Sequence, residues 1–329
     1  MKNFTMAMPH SIEEAAKLLP KDLADDSARL LAGGQDILTE MKEYLVQPDM
    51  LVNLKSIPDL SGMIWGADGS LEIGALATLR SLEQDQRLAT VFPILAQAAV
   101  SIASPQIRSA ATVGGNLNQR PRCWYYRSED YPCLKKGGTE CFSYYGKNRY
   151  NAILGGGPSY IVHPSDLAPA LVALQADVEL VSPSGTRRMP LEEFFVLPSE
   201  GDVLRETRIA ADEVLTRIYI PPPGANQRSI YLKFKERDAY DFALAAVALV
   251  LHTDGAKLAS CRLVLGAVAP VPWRCARTER KLAGRPLDEE LVALAAQDAL
   301  SDAEPLSDNG YKVPLTRGLI AEAFETLMV

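Results

Sequence analysis

Apolar residues follow helical and strand spacings in turn, and the first 56 residues predict a small α/β unit. Ser11 and Glu14 form an S-x-x-E capping box ahead of apolar residues at helical spacing, so a helix is predicted to begin there. Residues 29–32 predict a short buried strand that ends at a Gly-Gly turn. A second short helix and a strand over 50–54 complete the unit.

The pattern predicts two further units beyond residue 56. Strands are predicted at 71–74, 178–181 and 215–220, with a clear helix at 92–102 and a hairpin turn at 182–185. A stiff, polar linker, PPPGAN, follows at 221–226. After it, strands are predicted at 229–235, 244–251 and 261–268, and closing helices at 287–300 and 311–327. We therefore expect three units, at 1–56, 57–222 and 223–329, of which the last is a C-terminal α+β domain.

Composition narrows the classes of function. A formal net charge of −7 and a pI near 5.2 give no positive surface for a phosphate backbone, so nucleic acid is not expected as a partner. The longest apolar run, 242–251, is too short to cross a bilayer and predicts a buried strand. Residues 1–11 lack the charged region and apolar stretch of a signal peptide, so we expect a cytoplasmic protein without membrane insertion.

Two Gly-Gly motifs carry the first chemical signal. In LLAGGQDIL at 30–38 an apolar strand runs into Gly33-Gly34 and a helix start, and glycines there allow close approach of a pyrophosphate. An ordinary strand-to-helix turn is the alternative, and Asp36 favours it, because a carboxylate beside a phosphate must be turned away. SPQIRSAATVGGNL at 104–117 predicts a second Gly-Gly-Asn turn after a helix, with Thr112 and Asn116 as hydrogen-bonding side chains. Neither motif is G-x-G-x-x-G or a P-loop, so nicotinamide and nucleoside triphosphate sites are not supported.

These motifs resemble those of the flavin subunits of xanthine dehydrogenase and carbon monoxide dehydrogenase type molybdenum hydroxylases. AGGQD at 32–36 resembles their AGGTD-type loop, and PQIR with ATVGGNL at 105–117 resembles their second phosphate loop. The likeness continues through HPSDLAPALVAL, YLKFKERDAYDFALAAVAL and LGAVAPVPWR, and so covers nearly the whole chain. The resemblance implies an α+β chain, with a two-subdomain FAD-binding fold of the vanillyl-alcohol-oxidase type followed by a C-terminal α+β domain.

The resemblance also implies where FAD binds. It assigns residues 30–37 and 111–116 to the FAD diphosphate, and places Ile102, Asp166 and Lys233 near the cofactor. The implied cofactor-binding residues are Leu30, Leu31, Ala32, Gly33, Gly34, Gln35, Asp36, Ile37, Ile102, Ala111, Thr112, Gly114, Gly115, Asn116, Asp166 and Lys233. Gln35 stands where threonine is commoner. Two of these side chains also have a structural interpretation in place of a cofactor contact. Asp166 could cap a helix over 167–174, and Lys233 could lie on the solvated face of a strand.

A cysteine-containing insertion lies at about 118–160. Cys123, Cys133 and Cys141 are spaced C-x9-C-x7-C, unlike a zinc ribbon or a thioredoxin motif, while thiolates are good ligands for an iron–sulfur cluster. The insertion resembles that of 4-hydroxybenzoyl-CoA reductase and related aldehyde oxidoreductase flavin subunits, where four cysteines bind an extra [4Fe–4S] cluster. The fourth position holds Ser159 here. The alternatives are a cluster completed by Ser159, His163 or an exogenous ligand, a [3Fe–4S] cluster, or cysteines that are merely small buried hydrophobic residues.

The resemblance predicts an oxidoreductase in which this chain is the flavoprotein subunit. Its FAD would relay electrons between [2Fe–2S] clusters and an external carrier such as ferredoxin or NAD, with no catalytic acid or base from this chain. Five cysteines cannot supply two plant-type [2Fe–2S] sites, and nothing resembles the large molybdopterin subunit. The implied partners are a molybdopterin-binding large subunit and a [2Fe–2S] small subunit, in a dimer of heterotrimers.

Two other functions remain open at this point. One is a self-contained FAD-dependent oxidase or reductase with its own substrate pocket, and the other is a zinc-stabilised interaction module. The substrate of the complex is also open among aromatic acyl-CoA, aldehyde and N-heterocycle, because it would bind to a partner subunit.

Overall fold

The first segment of the chain, seen in a computed structural model, is a small parallel sheet with two short helices. The structure describes residues 1–238 and 240–328. The elements are β1 (Thr5–Ala7), α1 (Ile12–Lys17), β2 (Ala28–Leu31), α2 (Ile37–Lys42) and β3 (Met50–Asn53). The strands lie in the order β1-β3-β2, and both pairs are parallel. The predicted cap is confirmed, since the Ser11 hydroxyl accepts from the backbone N–H of Glu14 at 3.1 Å.

The second segment is built on a five-stranded antiparallel sheet. Its first elements are β4 (Met63–Trp65), β5 (Leu71–Gly74), α3 (Leu79–Gln84), α4 (Gln86–Val91), α5 (Pro93–Ser101), α6 (Pro105–Ala110) and α7 (Val113–Leu117). After the insertion follow α8 (Leu167–Ala173), β6 (Asp177–Ser182), β7 (Gly185–Pro190), α9 (Leu191–Phe194) and β8 (Val214–Ile220). The strand order is β4-β5-β8-β6-β7, with the predicted hairpin turn between Ser182 and Gly185.

The third segment is a four-stranded antiparallel sheet followed by helices. Its elements are β9 (Gln227–Phe234), β10 (Ala245–Asp254), β11 (Lys257–Gly266), β12 (Trp273–Arg274), α10 (Ala276–Leu282), α11 (Glu289–Asp298) and α12 (Lys312–Met328). The strand order is β12-β11-β10-β9. In the described ranges 1–238 and 240–328, no helix combines the length and the apolarity that crossing a membrane requires.

Strand β10 is buried on both faces, which explains its unbroken apolar sequence. Ala246 and Ala248 pack into the core that contains α5 and α8. Val247 and Leu249, which point to the opposite face, pack into the core that contains α12. A strand covered on both sides has no solvated face, so polar residues do not alternate along it. The sheet of the third segment is therefore packed directly against the helices of the second.

The insertion is held in place from the C-terminal segment. Residues 118–160 form no strand, and their regular structure is a single 3-10 turn at Leu134–Lys136. The Asn309 side chain donates to the carbonyl oxygens of Asn151 and Ala152, each at 3.1 Å. Lys312 at the start of α12 donates to the carbonyl oxygen of Tyr150 at 3.0 Å. These bonds satisfy backbone carbonyls that an irregular segment would otherwise leave unpaired.

Lys312 should make the stability of the protein depend on pH. The side chain is fully buried, and desolvation lowers its pKa to about 7. An exposed lysine in the unfolded chain has a pKa of about 10.4. Between these values the unfolded chain holds a proton that the folded chain lacks, so stability rises with pH across this window. The maximal slope is about 1.4 kcal/mol per pH unit, the value for one proton.

We expect Lys312→Met to remove this rise, measured as the free energy of unfolding in urea at about pH 7.5 and about pH 9.5. Lys257→Met, at an exposed position of β11, is the control and should keep the rise. An undiminished rise in the Lys312 variant would assign the pH dependence to another group.

Candidate cofactor-binding site

The two glycine motifs lie side by side in the fold. A Cβ atom added to Gly33 would lie 2.2 Å from the carbonyl oxygen of Ala110 and 3.0 Å from the Cα of Ala111. Only a residue without a side chain allows the first motif to approach the end of α6 this closely. The segments 30–37 and 111–116, far apart in the sequence, therefore meet at one place.

The first motif presents backbone N–H groups that the protein does not use. It links the end of β2 to the start of α2, and Gly34 adopts a φ of +74°, which glycine reaches without strain. In the described part of the chain, the N–H groups of Gly33 to Asp36 have no protein acceptor. Unpaired N–H groups at a strand-to-helix turn are a common arrangement for binding a phosphate group.

The second motif differs from its prediction, because Gly114 and Gly115 are helical and not part of a turn. They lie in α7, where the Thr112 hydroxyl caps the helix by accepting from the N–H of Gly115 at 3.1 Å. The N–H of Gly114 donates to the carbonyl oxygen of Ala75 at 2.8 Å. A Cβ on Gly114 would lie 2.9 Å from that of Ala75. Gly114 therefore allows α7 to pack closely against Ala75.

Asp36 is turned away from the first motif and toward the insertion. Its carboxylate accepts from the guanidinium groups of Arg122 and, at 2.7 Å, Arg127, and from the backbone N–H of Arg120 at 2.6 Å. Burial favours the neutral acid, but the two guanidinium groups outweigh it and hold the pKa of Asp36 below its ordinary value. Asp36 therefore does not argue against a phosphate site, contrary to the expectation from the sequence.

Asp166 and Lys233 form a buried ion pair. The Lys233 ammonium donates to Asp166 at 2.8 Å, and the Tyr231 hydroxyl donates to the other carboxylate oxygen at 2.7 Å. The side chains of Asp166 and Lys233 are only 6% and 3% exposed, so a solvated Lys233 is excluded. The capping role for Asp166 is wrong as well, because the Ser165 hydroxyl caps α8 instead, accepting from the N–H of Ala168 at 3.0 Å.

The ion pair is linked to the glycine motifs through short contacts. The Ser165 hydroxyl donates to the side-chain oxygen of Asn116 at 2.6 Å, which joins the HPSD segment to α7. The Lys233 ammonium also donates to the carbonyl oxygen of Ser101 at 3.1 Å, next to Ile102. The structure thus brings Asn116, Ile102, Asp166 and Lys233 into one neighbourhood.

A pocket of about 430 Å³ opens beside Asp166. Aromatic walls come from Trp124 and Tyr150 of the insertion and from Phe242 of the β9–β10 connection. These three residues were not among the predicted site residues, although the aromatic-rich insertion and the sequence KERDAYDF were a signal for them. The volume is in the usual range for a small-molecule site.

The cysteines of the insertion gather, but the space between them is small. Cys123, Cys133 and Cys141 line one cavity together with Ser159, as the resemblance implies, while His163 lines the larger pocket. The cavity measures about 10 Å³, which admits little more than a water molecule and not a four-iron cluster. Within residues 1–238 and 240–328, no group of three or more His, Cys, Asp or Glu side chains is arranged to hold a metal ion. The residues as folded therefore do not fit the predicted cluster.

His163, Cys261 and Cys275 are all buried. Burial lowers the pKa of His163 to about 3, so its imidazole is neutral at physiological pH. Cys261 and Cys275 are buried in the core around α12, and burial raises the pKa of the Cys261 thiol to about 12.

Comparison with known proteins agrees with this geometry. Residues 2–223 match the model of the FAD binding domain in molybdopterin dehydrogenase, and residues 230–327 match that of the CO dehydrogenase flavoprotein C-terminal domain. The chain is 33% identical to the aldehyde oxidoreductase FAD-binding subunit PaoB of Escherichia coli K12, over 98% of this chain and 97% of that protein. It is 29% identical to the carbon monoxide dehydrogenase medium chain of Hydrogenophaga pseudoflava, over 93% of this chain and 88% of that protein.

A solved structure gives the same result for the fold. The reconstituted CO dehydrogenase from Oligotropha carboxidovorans contains a chain that superposes with a TM-score of 0.77 at 28% identity, over 99% of this chain and 98% of that one. The predicted α+β fold class is confirmed. The chain belongs to the FAD-binding medium subunits of the xanthine dehydrogenase and carbon monoxide dehydrogenase family of molybdenum hydroxylases, which are oxidoreductases.

Proposed function

We propose that this chain binds FAD and relays electrons between the iron–sulfur clusters of a partner subunit and an external carrier. The observation that carries the proposal is the contact of Gly33 with Ala110, which sets the unpaired N–H groups of the first motif beside the second motif. The FAD diphosphate would accept hydrogen bonds from those N–H groups. FAD itself supplies the ability to take up electrons singly and pass them on in pairs.

The flavin ring is assigned to the pocket beside Asp166. The Asn116–Ser165 hydrogen bond makes the HPSD segment a direct neighbour of the phosphate-binding region. The pocket has room for a planar ring between the aromatic side chains of Trp124, Tyr150 and Phe242. The Lys233–Asp166 pair would set the electrostatic potential at one end of that ring.

The pocket favours an electron relay over a self-contained oxidase. Its carboxylates are already paired: Asp166 with Lys233, Glu236 with Arg149, and Asp241 with Arg237. His163 is a weak base because of its low pKa. A self-contained oxidase needs a base of suitable pKa that faces its substrate. Substrate chemistry is therefore assigned to a partner subunit.

The proposed partners are a molybdopterin-binding large subunit and a [2Fe–2S] small subunit, arranged as a dimer of heterotrimers in the cytoplasm. We place the FAD-binding subdomains at 1–56 and 57–222 and the C-terminal domain at 223–329. Ferredoxin or NAD is the proposed class of external carrier. The extra iron–sulfur cluster is left out of the proposal, because the cavity between the cysteines is too small for it, and no step of the proposed relay passes through it. Aldehydes and aromatic acyl-CoA compounds are the favoured substrates of the complex.

Spectra of the purified protein test the proposal directly. We expect the visible absorption bands of bound flavin at about one FAD per chain, and co-purification of the partner subunits when all three subunits are produced together. Iron and sulfide analysis of the chain purified without its partners tests the cluster in the same sample. A colourless protein that contains zinc would overturn FAD binding, and full substrate turnover by the isolated chain would overturn the relay.

A further inference from the structure

The acidic helix behind the first glycine motif creates an electrostatic problem for an anionic ligand. Asp36, Glu40 and Glu43 all belong to α2 or its ends, directly after the N–H groups of Gly33 to Asp36. A diphosphate is doubly negative, and like charges close together in a partly buried site repel each other strongly. The motif can therefore bind a diphosphate tightly only if these carboxylates are neutralised or turned away.

The neutralising cations come from the insertion. Arg122 and Arg127 both bind Asp36, and Arg127 also lies 4.0 Å from Glu43. Glu40 is buried and accepts from the Tyr126 hydroxyl at 2.7 Å, and burial together with Asp36 raises its pKa. Together with Arg120, whose backbone N–H donates to Asp36, four residues between 120 and 127 thus contact the acidic groups of α2 and its ends.

The neighbouring cationic side chains of Arg120 and Lys135 are paired with a different carboxylate. The guanidinium groups that bind Asp36 are those of Arg122 and Arg127. Arg120 pairs with Glu206 at 3.0 Å, and Lys135 pairs with the same carboxylate at 2.6 Å. The Arg120 contact with Asp36 uses the backbone N–H and not the guanidinium group. Removing the charge of Arg122 and Arg127 would leave the Asp36 carboxylate without a cationic side chain bound to it.

We infer that Arg122 and Arg127 are positioning residues for FAD: they hold the Asp36 carboxylate away from the first glycine motif and cancel its charge. This inference rests on the proposed function, in which that motif binds the FAD diphosphate. It gives the insertion a role in flavin binding that requires no metal. The same Arg122 lines the pocket beside Asp166, so one side chain connects the phosphate loop to the pocket wall.

A rescue experiment in the full-length chain tests this inference. After removal of FAD, its Kd is measured by flavin fluorescence for the wild type, Arg122→Met/Arg127→Met, Asp36→Asn, and the triple variant. We expect the arginine variant to raise the Kd about tenfold or more, with a smaller increase at high salt, because the effect is a charge repulsion. Adding Asp36→Asn should return the Kd to within about threefold of the wild-type value.

Rescue by Asp36→Asn distinguishes an effect of the two arginine charges from a purely structural role of these side chains. If the arginines only held the insertion folded, Asp36→Asn would remove the same anchor and could not restore binding. Arg188→Met is the matched control, because it breaks the exposed Arg188–Asp177 pair on another sheet edge. An unchanged Kd in the arginine variant, or a triple variant as weak as the double, would overturn the inference while FAD binding stands. A wild type that binds no FAD would overturn the proposed function itself.

Discussion

Replacing Gly33 with alanine is expected to weaken FAD binding strongly and to destabilise the fold. The new Cβ atom would lie 2.2 Å from the Ala110 carbonyl oxygen, a backbone atom that cannot move aside as a side chain can. The two glycine motifs would have to separate, at a cost of about 3 kcal/mol or more. Because the N–H groups of the first motif would shift with it, the Kd for FAD should rise on the order of 100-fold or more.

Gly62→Ala is the matched control for this variant. Gly62 is exposed, and an added Cβ atom would meet no heavy atom within 4 Å. Its free energy of unfolding should stay within about 0.5 kcal/mol of the wild-type value, with unchanged flavin content. Urea unfolding and the flavin absorbance of both purified variants provide the comparison. A Gly33→Ala protein that retains stoichiometric FAD would show that the two motifs do not need this close contact.

Breaking the buried ion pair is the second change with a large expected effect. Lys233→Met leaves the Asp166 carboxylate, 6% exposed, with the Tyr231 hydroxyl but without a cation. An unpaired charge in such a position typically costs about 3–5 kcal/mol, a large share of the stability of a domain. We therefore expect a much lower urea midpoint and, where the protein remains folded, an altered flavin spectrum.

A double variant keeps this prediction testable if the single variant does not fold. Asp166→Leu/Lys233→Met removes both charges, and it should be more stable than Lys233→Met because no unpaired charge remains. The exposed pair of Lys2 and Asp49 supplies the control, since Lys2→Met should cost less than about 1 kcal/mol. A double variant no more stable than the single one would contradict the assignment of the cost to the unpaired carboxylate.

The insertion acts as a connector between parts of the chain that lie far apart in sequence. Its arginines bind Asp36 at the first glycine motif, while its backbone carbonyls accept hydrogen bonds from Asn309 and Lys312 of the C-terminal segment. Trp124 and Tyr150 of the same insertion line the pocket beside Asp166. A long irregular segment of this kind is usually functional, and here its contacts reach all three segments of the chain.

Local sequence determined most of the secondary structure. The Ser11 cap of α1, the strand that ends before Gly33 and the hairpin at 182–185 depend on interactions between residues close in the chain, and each was predicted. The helix at the second glycine motif was not predicted. A Gly-Gly pair favours a turn, whereas the Thr112 cap starts a helix. A short-range competition of this kind is decided by tertiary contacts such as Gly114 with Ala75.

The family could also be named from the sequence, because the motifs extend along nearly the whole chain. Only the tertiary structure decided what individual side chains do. Asp36 is paired with distant arginines, Lys233 is buried against Asp166, and Ser159 shares a cavity with three cysteines that is too small for the predicted cluster. The physical reason is that charge pairing, burial and cavity size depend on residues brought together from separate segments, and their spacing along one chain does not specify them.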